Sequence, residues 1–155
     1  MILDPSVAVA IAVTFVWIGM LVAISFVEAP LKFRAPGITI PLGLGIGRLV
    51  FRALNLFELL WAVVLFACVI IGGLTTTAPG MCALGAVAAL LIGVVIVRPR
   101  LNRRSDAVLA AAVAGRVSGP GESTGPRSRA HLVYVVLEVI KLGLLLAAGI
   151  GLLGV

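Results

Sequence analysis

The chain has 155 residues, of which 62% are hydrophobic and 12% charged, with a mean hydropathy of +1.27. A soluble domain is nearer half apolar and a quarter charged, and one this small leaves too much side-chain area at its surface to hide such a composition, so a water-soluble globule is excluded and a bilayer is the expected solvent. The net charge is +6, from 12 Lys and Arg against 6 Asp and Glu; it gathers between apolar runs with no aromatic-interleaved basic face, which points to loops that set orientation and meet anionic lipid, not to nucleic acid.

The first predicted span, Ser6 to Val27, contains no charged residue and is long enough to cross. Only Asp4 precedes it within reach, whereas a signal peptide needs a basic leader, so a retained helix is expected. The connection over 28–52 contains Ala35 to Gly47, APGITIPLGLGIG. Its prolines and alternating glycines oppose a regular helix. An extended or re-entrant interfacial segment is expected there, turning into a second helix before Arg48.

Ala53 to Leu74 is the second span, apolar except for Asn55 and Glu58. A tight linker, Thr75 to Pro79, leads to the third span, Gly80 to Val97, whose Gly and Ala content suits close helix contact. The connection over 98–131 opens with PRLNRRSD. A short surface helix over Asp106 to Val117, capped by Ser105, and a flexible linker over Ser118 to Arg129 are expected. Leu132 to Val155 is the fourth span and carries Glu138 and Lys141. The predicted fold is an all-α, integral membrane four-helix bundle, one domain over 1–155.

Basic residues in short loops mark the cytoplasmic side. Eleven of the twelve lie in the first and third connections: Lys32, Arg34, Arg48 and Arg52, then Arg98, Arg100, Arg103, Arg104, Arg116, Arg127 and Arg129. Both termini are therefore expected outside. Arg outnumbers Lys ten to two, and Ala, Gly and Val are heavily used. This composition predicts the plasma (inner) membrane of a bacterium with a GC-rich genome. Cys68 and Cys82 both lie in apolar segments and are read as packing residues, not as a disulfide framework.

An internal repeat is also readable. Val27-Glu28-Ala29-Pro30-Leu31-Lys32-Phe33-Arg34 and Val97-Arg98-Pro99-Arg100-Leu101-Asn102-Arg103-Arg104 share Val, Leu and Arg at matching offsets. Each stretch is followed by a loop and then a helix with one intramembrane glutamate, Glu58 or Glu138. Such hairpins would form two parallel repeats related by an axis along the membrane normal.

Charged residues at membrane depth are the most informative, because each costs roughly 2.5 to 3.5 kcal/mol on insertion scales. Glu138 and Lys141 are three apart and share a helix face. Glu58 reaches a similar depth, with Asn55 on the same face and Arg48 and Arg52 stacked towards the cytoplasm. A polar core of Asn55, Glu58, Glu138 and Lys141 is predicted. It reads either as an ion pair fixing helix register or as a proton, cation or substrate site. One Lys against two Glu leaves a surplus negative charge, which favours the second reading. At the interface, Glu28 pairs with Lys32 and Arg34, and His131, the sole histidine, opens the fourth span as a polar anchor. Trp17 and Trp61 are expected to pack against neighbours or lipid. The Gly43-to-Arg48 stretch lacks the strand context or lysine of a nucleotide loop and reads as a close-packed turn.

Phe26-Val27, Leu31, Phe33-Arg34, Pro36 and Leu49-Val50-Phe51, followed by a polar third loop and His131, form a pattern. It resembles the small four-span proteins grouped as a domain of unknown function around transmembrane protein 205. The resemblance implies a four-helix membrane fold and no mechanism. Glu28, Glu58, Glu138 and Lys141 have no counterpart in that pattern. No HExxH, catalytic triad or intramembrane aspartate pair is present, and no cofactor or metal is expected. Three functions fit: a small-solute or ion transporter or channel working through the carboxylates, alone or as a homo-oligomer; an accessory or assembly subunit of a larger membrane complex; and an enzyme acting on a lipid or quinone.

Overall fold

In a computed structural model, which describes residues 4–97, 99 and 129–154, the chain is an all-α four-helix bundle. The helices are α1 (Pro5–Leu21), α2 (Ile40–Ile71), α3 (Ala78–Ile92) and α4 (Arg129–Leu152). Each lies within a continuous helical run long and apolar enough to cross a membrane, making the protein a multi-pass membrane bundle. The outward surface is apolar: Ile71 and Leu56 are 78% and 70% exposed, an arrangement lipid solvates and water does not.

Three helices begin with one device. Asp4, Thr39 and Thr77 cap α1, α2 and α3 by accepting a hydrogen bond from the N–H of Ser6, Leu42 and Gly80, and each helix has a proline in its first turn. The cap satisfies a donor that has no carbonyl within the helix, and the proline removes another. Hydrogen bonds from the Ser6 hydroxyl and then its amide hold the Asp4 carboxyl below the usual carboxylate range. Helix α2 ends at Gly72 and Gly73, the latter left-handed with φ of 63°, a conformation glycine adopts without a Cβ penalty. A 3₁₀ turn, Leu74–Thr76, then delivers the chain to Thr77.

The caps correct the expectation for 35–47. Only Ala35 to Thr39 is irregular; from Ile40 the chain is helical, and α2 runs 32 residues without a break. The predicted loop over 28–52 is accordingly mostly helix. Its glycines serve packing: a Cβ on Gly43 would meet the Phe33 ring, and one on Gly47 would come within 2.7 Å of the Lys32 ammonium. Expected elements over 100–128, including the Asp106-to-Val117 helix, its Ser105 cap and most of the linker after it, lie outside the described residues.

Two helices carry a widened turn. The chain is π-helical over Val22–Glu28 and Gly93–Val97, and the Ala29 N–H reaches the Ile24 carbonyl five residues back. A proline, Pro30 or Pro99, follows each and lacks the N–H that would continue the ladder. Each widened turn ends at the start of one of the two matched sequence stretches, a likeness of the hairpins beyond the three shared residues.

Helix α1 packs on α2 and α4, and α3 packs closely on α4 and less on α2, so α2 and α4 stand diagonally. Ala83, Ala86 and Leu90 of α3 meet Leu145, Ala148 and Leu152 of α4 in the core. The alanines among them let the two backbones approach. Gly151 lies against Pro79 and Gly149 against Thr14 and Phe15, while Ser6 reaches Gly72. The start of α1, the end of α2, the start of α3 and the end of α4 thus share one end of the bundle, and Lys32, Arg34, Arg48 and Arg52 lie at the other.

Candidate functional site: a buried Glu–Lys–Glu triad

Measured from the end of the bundle carrying Pro5, Ile71 and Leu152, residues Trp17, Glu58 and Lys141 lie roughly 18, 20 and 16 Å along their helices at 1.5 Å per residue. Against a hydrocarbon core about 30 Å thick, this is close to the midplane. The three come together there, although they belong to α1, α2 and α4. Glu58 is 0% exposed, Lys141 2% and Glu138 5%.

Lys141 Nζ donates to Glu138 Oε1 at 3.1 Å and to Glu58 Oε1 across the diagonal of the bundle. The first bond is the same-face pair that the spacing of three predicts. The second ties α2 to α4, two helices that otherwise scarcely touch. Glu58 Oε1 also accepts from Trp17 Nε1 at 3.0 Å, while Glu58 Oε2 has no hydrogen-bond partner among the described residues. Tyr134, one turn before Glu138, is a further neighbour of the Glu138 carboxyl.

Of the predicted polar core, the structure joins Glu58, Glu138 and Lys141 directly. Asn55 stands beside them with its Oδ1 unpaired among the described residues. It lines, with Gly93, Tyr134, Glu138 and Lys141, a cavity of about 10 Å³, close to the room one water needs. Gly93 belongs to the widened turn of α3, which is how a helix without polar residues at this level helps to leave space.

Trp17 is the residue the sequence reading missed. It was expected to pack against a neighbour or lipid, yet its indole N–H is a donor to the triad. Its partner arrangement is reciprocal: Trp61, three residues after Glu58, donates to Met20 Sδ at 3.3 Å, three residues after Trp17. The two tryptophans thus cross-link α1 and α2 in opposite directions. The shared spacing of three between Trp17 and Met20 and between Glu58 and Trp61 is the only sequence signal for it. Thr14 is also fully buried, but its hydroxyl satisfies itself on the Ala10 carbonyl at 2.7 Å and takes no part.

At the basic end, Lys32 Nζ lies 3.3 Å from Glu28 Oε2, one turn back along the chain. It also lies 5.7 Å from the Phe33 ring and 5.2 Å from the Phe51 ring, within cation–π reach. Phe51 meets Tyr134 edge to face, with ring centroids 6.1 Å apart. Aromatic contacts therefore connect the interfacial pair to the neighbour of Glu138. Arg34 and Arg52 are exposed and Arg48 is half-buried. The side chain of His131 lies outside the described residues. Cys68 and Cys82 are free thiols, the first buried and the second half-buried.

Electrostatically, the triad holds two carboxylates and one ammonium buried in the bundle, a formal charge of −1. A buried pair is tolerated when its geometry is good and its remaining polar atoms are bonded. Here the pairing is good, but a charge is left over and one oxygen is orphaned. Chemically, the arrangement offers carboxylate oxygens that can accept a proton. No family model, curated protein or solved structure matches the chain.

Proposed function

We propose that this protein is a small membrane transporter for an ion or small solute, with Glu58, Glu138 and Lys141 as its binding centre. The observation that carries this reading is the uncompensated charge at the midplane. A pair serving only to fix helix register needs one carboxylate per lysine. A second carboxylate, fully buried with one oxygen unpartnered among the described residues, leaves a charge that the lysine does not neutralise, a cost that a visiting cation removes. Lys141 then acts as a tethered internal cation, shared between two carboxylates and able to shift onto either one as charge arrives at the other.

In this reading the basic end faces the cytoplasm, with both termini outside, in the plasma membrane of a bacterium. Arg34 and Arg52 contact anionic head groups there. At the triad itself the cavity is water-sized, whereas the head group of a lipid or quinone needs far more room. Reconstituted into liposomes, the protein should dissipate an imposed ion gradient, and Glu58→Gln should abolish the flux. Undiminished flux in that variant would refute the proposal.

A further inference from the structure

The triad restricts what its cation can be. The two carboxylates supply oxygen ligands from only two residues, and among the described residues no third His, Cys, Asp or Glu joins them. The position between the carboxylates is already filled by the Lys141 ammonium. The neighbouring cavity, about 10 Å³, has room of the order of one water. A dehydrated metal ion would have only the two carboxylates and the Asn55 carbonyl for a cage, with an ammonium already between the carboxylates, whereas a proton needs only a carboxylate oxygen and a water to bring it.

The two carboxylates are not equivalent. Glu58 Oε1 accepts from both Trp17 and Lys141. Glu138 accepts from Lys141 and has Tyr134 as a further neighbour, and it, not Glu58, lines the cavity. Its Oε2, like that of Glu58, has no hydrogen-bond partner among the described residues, and the residue is 5% exposed. The groups facing this carboxyl are few. Helix α1 contributes the uncharged Trp17, α2 contributes Glu58 and Asn55, α3 contributes Ala89, Leu90, Gly93 and Val94, and α4 contributes Lys141 and Tyr134. One positive and one negative charge therefore already balance without Glu138.

We infer that the ligand of this site is a proton, held on Glu138 as a carboxylic acid beside one water in the adjacent cavity. The inference deepens the transport reading and takes its site from it. In the binding step a hydronium ion in the cavity passes its proton to Glu138, a new O–H bond forms on the carboxylate, and a neutral water remains. No electrons change hands. The triad goes from −1 to neutral, and Lys141 settles onto Glu58, tightening the tie between α2 and α4. Release reverses the step, and Lys141 is again shared. Proton occupancy is thereby coupled to the one bond that links the diagonal helices.

The test is infrared difference spectroscopy on the full-length protein in liposomes, titrated between about pH 5 and pH 9, the range in which buried glutamates are known to change state. A carboxylic-acid carbonyl band with the amplitude of one group should appear on acidification, move in heavy water, and ignore exchange of sodium for potassium. Glu138→Gln and Glu58→Gln should each abolish it in that window, the first by removing the carboxyl and the second by removing the excess charge. Glu28→Gln should leave it intact. The unsubstituted protein decides the matter even if a variant fails to fold: no such band overturns the inference, as does a band that survives in a folded Glu138→Gln protein. Transport is scored separately. A band without ion flux upholds the proton site and sinks the transport reading, and flux without the band does the reverse.

Discussion

The molecule makes a glutamate–lysine pair at two depths, and the two are built differently. Glu28 and Lys32 stand one turn apart at the basic end, joined by a single 3.3 Å contact, with the Glu28 side chain 30% exposed. Lys32 also has two aromatic rings to rest on. At the midplane, Glu138 and Lys141 are three apart, and they are accompanied by a second carboxylate from another helix and an indole donor from a third. The difference follows from the solvent. At the interface, water and head groups solvate whatever the partner leaves uncovered. In the hydrocarbon each polar atom must find protein, and Glu58 Oε2, Glu138 Oε2 and Asn55 Oδ1 have no hydrogen-bond partner among the described residues.

The sharpest way to break this comparison is to remove each lysine. Lys141→Met leaves two carboxylates facing one another in a dry core, and should cost about 3–5 kcal/mol, the range for stripping one partner from a buried pair. Reversible unfolding in mixed micelles would read it. Adding Glu58→Gln and Glu138→Gln to the same protein should recover most of the loss, because no charge then remains. A Lys141→Met protein as stable as the parent would mean that water already reaches the triad, and the contrast of solvents would collapse.

Trp17→Phe is the next largest. It keeps the aromatic volume and deletes the N–H given to Glu58, so about 1.5–3 kcal/mol should be lost, the value of a hydrogen bond to a charged group. The matching change at Trp61, whose N–H goes to the Met20 thioether, should cost less, since sulfur is a weak acceptor. Equal losses from the two tryptophans would show that both act only as packing between α1 and α2.

Much of this was legible from residue order. Apolar runs located all four spans, and the lysine-to-glutamate arithmetic located the excess charge before any geometry was known. The spacing of three gave the Glu138–Lys141 bond. What periodicity cannot supply is which helices stand diagonally, so the bond from Lys141 to Glu58, and the indole of Trp17 beside it, appear only in the fold. The start of α2 failed for a different reason. Gly43, Gly45 and Gly47 read as helix breakers by a rule learned in water, while in this bundle Gly43 and Gly47 mark where Phe33 and Lys32 press in. The signal that should have outweighed them is local: Thr39-Ile40-Pro41 repeats the pattern of Thr77-Ala78-Pro79, a capping hydroxyl with a proline in the first turn.

The smallest expected effect belongs to the outer pair. Glu28→Gln removes one partner of Lys32, yet the ammonium keeps the Phe33 and Phe51 rings and gains water, so stability should fall by no more than about 1 kcal/mol. Salt supplies the control that separates the two sites. Ionic strength screens exposed charges over a Debye length of about 10 Å at 0.1 M and leaves buried pairs nearly untouched. Raising it should therefore erase the difference between Glu28→Gln and the parent while leaving the Lys141→Met loss in place. If salt instead diminished both, the midplane triad would be in contact with solvent ions, and its unpaired carboxylate oxygen would be an aqueous group.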